Sequence, residues 1–222
     1  MRTFILLTIF AISMVAQDNN VIIPLVRSGG GTQTEITLIN SSALAVQVMV
    51  NFRMDDGNGG SHAVTIGDSK YRFLSFVLWP LGSKRIVTSD PQWWTASGYV
   101  DIKWIGVVAP LVTAEMVRGS ERIGVAVQKP AAKLWLPLDN VGGATMLSIV
   151  KVGPSQNLEF EYFDEDGRFI GSHRGLFPDR DQILIETGQY LPASAGKRGL
   201  VAVYPSYREK GAALAGYALI SK

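Results

Sequence analysis

The chain writes one pattern twice. Ile23-Pro24-Leu25 precedes Gly29-Gly30-Gly31, a run of alternating residues and then Asp55-Asp56-Gly57. Leu136-Pro137-Leu138-Asp139-Asn140-Val141-Gly142-Gly143 precedes a second alternating run and then Asp164-Glu165-Asp166-Gly167. Pro24 and Pro137 are 113 residues apart, as are Gly29 and Gly142, and Asp56-Gly57 lies 110 residues before Asp166-Gly167. Order preserved at a near-constant offset, with length changes confined to loops, is the mark of a duplicated structural unit. Whatever the fold, it must accommodate both copies.

The runs inside each copy alternate with period 2, the pattern of a half-buried strand. Val46, Val48, Val50 and Phe52 share one face, while Gln47, Asn51 and Arg53 share the other, with Met49 the one apolar intruder. Thr34, Ile36 and Leu38 alternate with Glu35 and Thr37; Leu158, Phe160 and Tyr162 alternate with Glu159 and Glu161. No segment holds a 3.6-residue period over three turns, so no long helix is expected. Pro24 fits only a strand edge or a bulge. Asp55 to Gly60 reads as a hairpin turn. Further pairs follow in order. Thr32–Ile39 answers to Thr145–Val152, Trp79-Pro80 to Phe177-Pro178, Gly98-Tyr99-Val100 to Gly199-Leu200-Val201, and Pro110-Leu111-Val112 to Ala213-Leu214-Ala215. The second copy lacks one hairpin's worth of residues after Gly167. The expected fold is all-β: two tandem immunoglobulin-like antiparallel β-sandwiches related by the internal repeat, over residues 17–130 and 131–222.

Residues 1–16 read as a signal peptide. Arg2 supplies the positive start, Phe4 to Val15 the apolar run, and Ala16 a small-residue exit before Gln17-Asp18-Asn19-Asn20. The expected location is therefore secreted, in the periplasm, at the cell surface or outside the cell, with no membrane span after cleavage. The formal net charge of +2 gives no reason to expect a nucleic-acid partner. The chain has no cysteine, which excludes a disulfide framework, a thiolate metal site and a cysteine nucleophile.

Leu136 to Gly143, Asp164 to Gly167 and Lys197 to Ala202 resemble the turn and strand signatures of a family of tandem β-sandwich repeats in secreted bacterial proteins. The resemblance covers nearly all of the exported chain and is weaker in the first copy. It implies the fold and export, and nothing about chemistry.

Few residues invite a chemical role. His62 and His173 each follow the hairpin of their own copy, and neither has evident partners for a metal site or a triad. Gly67-Asp68-Ser69 resembles the nucleophile block of one esterase class without its α/β setting or its late histidine. Asp164-Glu165-Asp166-Gly167 could offer oxygens to calcium but continues with Arg168 and Phe169, as a plain hairpin turn would. Glu115 is a carboxylate among apolar residues, and alternation sends it to solvent. Catalytic residues, metal ligands and cofactors are accordingly expected to be none.

Trp93 and Trp94, with Tyr99 nearby, form the best candidate for ligand or partner contact, since exposed indoles stack on sugar rings and anchor interfaces. The same loop could instead fold over the open end of the sandwich as a plug, as Tyr190-Leu191 at the equivalent place would. The expected function is an exported non-catalytic protein of the cell surface or matrix that meets a protein or glycan. The alternatives are a carbohydrate-binding module using the Trp93-Trp94 loop, or a self-assembling subunit.

Overall fold

The computed structural model describes residues 19–55, 61–91, 93–153, 157–177, 181–206 and 212–221. The signal-peptide reading and most of the Asp55–Gly60 turn lie outside these residues.

The protein is all-β, with several antiparallel sheets. The strands in chain order are β1 (Asn20–Gly29), β2 (Thr32–Ile39), β3 (Val46–Asp55), β4 (Ser61–His62), β5 (Val64–Ile66), β6 (Ser69–Tyr71), β7 (Phe73–Leu78), β8 (Ser83–Val87) and β9 (Thr95–Ile105). There follow β10 (Leu111–Arg118), β11 (Glu121–Val125), β12 (Leu134–Asp139), β13 (Ala144–Val152), β14 (Asn157–Asp164), β15 (Phe169–Leu176), β16 (Gln182–Glu186), β17 (Arg198–Pro205) and β18 (Ala213–Ser221). The only helical elements among the described residues are a short turn, α1 (Thr187–Tyr190), and a 3-10 turn over Pro192–Ser194.

The alternating runs become strands with one apolar face. Val46, Val48, Val50, Phe52 and Met54 of β3 are buried, and the residues between them are not. Leu158, Phe160 and Tyr162 do the same in β14. Two hydrophobic clusters result. The first gathers Ile23, Val26, Ile36, Leu38, Val48, Phe52 and others up to Val125. The second gathers Leu134, Leu136, Leu147, Ile149, Phe160, Val201, Leu214 and their neighbours. Each fully buried aliphatic or aromatic side chain contributes about 1.5–3 kcal/mol against exposure.

Around the first cluster β1, β9, β3 and β7 pair in that order, and β8, β2, β10 and β11 pair in that order; one contact at Gly29 and Thr32 joins the two rows. Around the second, β12, β17, β14 and β15 form one sheet and β16, β13 and β18 the other. Gly98 pairs with Met54 and Gly199 with Asp164. A Cβ on Gly98 would collide with the Arg53 carbonyl oxygen, and one on Gly199 with that of Phe163.

Pro24 sits in a bulge. The β1–β9 ladder pairs Ile23 with Val100 and then resumes at Val26 with Gly98. A residue without an N–H cannot complete the ladder, and the bulge leaves its carbonyl free. That carbonyl accepts bonds from Ser148 Oγ at 2.5 Å and Gln182 Nε2 at 2.9 Å, and Gln182 Nε2 also reaches Gly98 O at 2.9 Å. Around this point Ile22 and Tyr99 pack on Val150 and Ala215, with Val152 beside them. Backbone bridges join Ile22 to Gln128 and Ala131 to Leu214. The outer face of β1 and β9 is thus covered by the outer face of β13 and β18.

Candidate functional site

The loop after β8 is held from below. Asp90, with no exposed side-chain surface, accepts the Thr65 N–H at 2.9 Å and the Thr65 hydroxyl at 2.6 Å on Oδ1, and His62 Nε2 lies 3.5 Å from the same oxygen. The Asp90 N–H donates to Ser28 Oγ at 3.4 Å. Burial alone would raise the Asp90 carboxyl. The nearby Ser28 hydroxyl, the Thr65 bonds and the His62 charge outweigh it and hold the group below its ordinary value. Trp94 packs half-buried on the first cluster, and the His62 ring meets it edge-on, centroids 5.2 Å apart and planes at 71°. The Thr95 hydroxyl donates to Gly29 O at 3.2 Å, which ties the far end of the loop to the β1–β2 turn.

Trp93 projects from this base at 91% exposure. The adjacent tryptophans therefore have opposite environments: Trp94 packs on the first cluster and Trp93 meets solvent. Tyr99 belongs elsewhere. Its ring lies with Ile22, Val150 and Ala215, and its hydroxyl reaches Asp181 Oδ2 at 3.3 Å. Burial, with the Asp181 charge added, raises the phenol well above its ordinary value. Of the three candidates, only Trp93 offers an open aromatic face.

The other chemical candidates are placed as follows. His173 stacks edge-on against Tyr190 at 5.0 Å and 71°, in the second half of the molecule. Gly67-Asp68-Ser69 makes the β5–β6 turn. Asp164 Oδ1 accepts the N–H groups of Asp166 at 3.1 Å and Arg168 at 2.8 Å, so this carboxylate closes its own turn. Glu115 lies on the solvent side of β10, 2.9 Å from Arg122 Nη1, which also meets Glu35 at 3.2 Å. The Arg85 bond chiefly lowers the Glu35 carboxyl; burial opposes it, and the Arg122 bond and both positive charges add to the lowering. Among the described residues no three His, Cys, Asp or Glu side chains gather in a way that could hold a metal ion. Ser28 is fully buried at the Asp90 amide, so the His62–Asp90 pair has no solvent-facing hydroxyl from that side. Its evident chemistry is to fasten a loop.

Sequence reasoning missed a second aromatic surface. On the outer face of the β12–β17–β14–β15 sheet, Pro137, Leu200, Phe163 and Phe169 stand in one cross-strand row. Trp135 stands in the next row, its ring 5.6 Å from Phe163, and Phe163 lies 5.9 Å from Phe169. Lys133 Nζ sits 4.7 Å from the ring centres of both Trp135 and Tyr204. The Tyr204 hydroxyl donates to Glu161 at 2.8 Å, and its pKa is pushed up to about 12 by burial and by that carboxylate. The available signal was Trp135 and Pro137 set between buried Leu134, Leu136 and Leu138. A cleft of about 400 Å³ also opens between the two clusters, with Lys103 and Lys129 in its wall. Comparison of the chain with family models, curated proteins and solved structures finds no match.

Proposed function

We propose that this is an exported protein made of two copies of one immunoglobulin-like sandwich module, residues 17–130 and 131–222, behind a signal peptide at 1–16. It works by contact rather than catalysis, as a component of a cell surface or matrix. Several pairings support the duplication. The order β1–β9–β3–β7 answers to β12–β17–β14–β15, and β8–β2–β10 to β16–β13–β18. Gly98 and Gly199 occupy the same crossing of two strands. Thr34 Oγ1 both donates to Arg27 O and accepts the Arg27 N–H; Thr145 Oγ1 does the same with Asp139. The offset is 113 residues at Ile23 and Leu136, and the bulge at Pro24 reduces it to 112 at Val26 and Leu138. It falls to 111 at Thr34 and Thr145, two less than the spacing of Thr32 and Thr145.

The observation that carries the contact reading is Trp93, a free indole on a loop fixed by Asp90 and Trp94. A broad aromatic face carried on an anchored loop suits a sugar ring or an apolar protein surface. Retention of the exported chain on immobilised polysaccharides and cell-wall material tests it. Retention that weakens about tenfold in Trp93→Ala, the scale of an interface hot spot, supports the reading. No retention on any surface, or retention indifferent to Trp93, contradicts it. A glycan as the specific ligand is the second reading, favoured by the exposure of Trp93, and soluble competing sugars distinguish it from protein contact.

A further inference from the structure

The contact between the two halves has two sides, and each side has a counterpart elsewhere in the chain. The receiving side is the outer face of β1 and β9, carried by Ile22 and Tyr99. The inserting side is the outer face of β13 and β18, carried by the cross-strand pair Val150 and Ala215. On the duplication proposed above, strand register fixes the counterparts. Ile23 pairs with Val100 as Leu136 pairs with Val201, so Ile22 answers to Trp135 and Tyr99 to Leu200. Thr34 answers to Thr145, so Val150 answers to Ile39. Leu111 pairs with Ile39 as Ala215 pairs with Val150.

All four residues of the internal contact are buried, and all four counterparts face solvent. Trp135 is 54% exposed, Leu200 45%, Leu111 59% and Ile39 37%. Both surfaces extend into apolar neighbours. Phe163 and Phe169 continue the receiving side across the sheet. Leu44 and Leu81 are exposed on loops bordering Ile39, where Leu81 N–H donates to Ser42 O at 3.3 Å and Asn40 N–H to Gly82 O at 2.9 Å. Each end of the chain thus carries one unpaired half of a contact that the chain already makes once internally.

We propose that a second copy of this chain occupies these faces. The Ile39–Leu111 face of one molecule docks on the Trp135–Leu200 face of the next, as Val150–Ala215 docks on Ile22–Tyr99 within each. The two surfaces are different, so the contact is head-to-tail. It leaves a free face of each kind at the ends and grows into an open chain or closes into a ring. Apolar patches of this kind on both ends of a soluble protein mark interaction surfaces.

The test is sedimentation of the exported chain, of Leu111→Glu and of Leu200→Glu, alone and mixed. Both changes fall on exposed side chains, and matching thermal melts verify that the variants fold. The wild type is expected to gain mass with concentration beyond the dimer. Each variant alone is expected to remain a monomer where the wild type has assembled. Their equimolar mixture is expected to form a dimer and stop there, because each supplies the one face the other has lost. A wild type that stays monomeric up to its solubility limit overturns the proposal and leaves the Trp135 platform to another partner. Assembly indifferent to both substitutions, or variants that do not complement, overturns it too. The duplication is tested separately by the glycine substitutions below, so the two ideas fail independently.

Discussion

The loop after β8 and the segment after β16 solve the same problem with different chemistry. In both, the residue directly after the strand is a buried threonine, Thr88 and Thr187. In the first half the polar anchor is a carboxylate, Asp90, tied to Thr65, Ser28 and His62. In the second it is an amide, Asn140. Its Oδ1 accepts the Thr145 N–H at 2.9 Å and the Thr187 hydroxyl at 3.0 Å, and its Nδ2 donates to the Ser194 hydroxyl at 3.0 Å. Each half also lays a histidine edge-on against an aromatic of that segment, His62 on Trp94 and His173 on Tyr190. The difference lies in what is left over. Tyr190 takes the stacked position, as Trp94 does, while Trp93 remains outside as an indole that packing of the loop does not use. Only the first of these two segments presents an indole almost wholly to solvent.

The largest effects are expected where the halves agree. Gly98→Ala and Gly199→Ala each drive a methyl group into a backbone carbonyl, and each should cost about 3 kcal/mol, the upper range for overpacking. Chemical denaturation measures both; a neutral result at either position breaks the correspondence. Asn140→Ala comes next. It removes the acceptor of a buried N–H and a buried hydroxyl, at about 2 kcal/mol. Gln182→Ala should cost about 1 kcal/mol by releasing the carbonyls of Pro24 and Gly98, with faster amide exchange in β1 as its local sign.

Acid should separate the two anchors. The Asp90 carboxyl is held below its ordinary value of 3.8 in the folded chain, so the stability it contributes is full above that value and is lost as pH falls through the lowered one. Melting curves of wild type and Asp90→Asn should therefore converge on acidification. The gap between wild type and Asn140→Ala should change little over the same range, because an amide does not titrate. Trp93→Ala should be smallest, within about 0.5 kcal/mol of wild type, since the side chain is almost wholly in water. A larger loss would make Trp93 a packing residue and remove the reason to regard it as a contact.

Much of the strand framework was legible because alternation and turn chemistry are local. The buried faces of β3 and β14 can be read from alternation alone, and Pro24 limits its strand to an edge or a bulge before any partner is known. The site was less legible. Trp93 and Trp94 are identical neighbours, and which one turns inward is decided by His62 and Asp90, 31 and 3 residues before Trp93. Tyr99 is near the two tryptophans in sequence, but it lies on the outer face of β9, away from the first cluster. The second half of the chain then covers it. Trp135 is the converse: its chain neighbours are buried, and it stays 54% exposed. Periodicity reports which side of a sheet a residue occupies, and long-range packing decides whether that side is wet.

The central claim is that two stretches of this chain are one module in the same register. Cross-strand contacts between backbone protons, measured by NMR, test it directly. The account requires contacts between Met54 and Gly98 and between Asp164 and Gly199, together with Ile39–Leu111 and Val150–Ala215. A register displaced by one residue in one half but not in the other would contradict it.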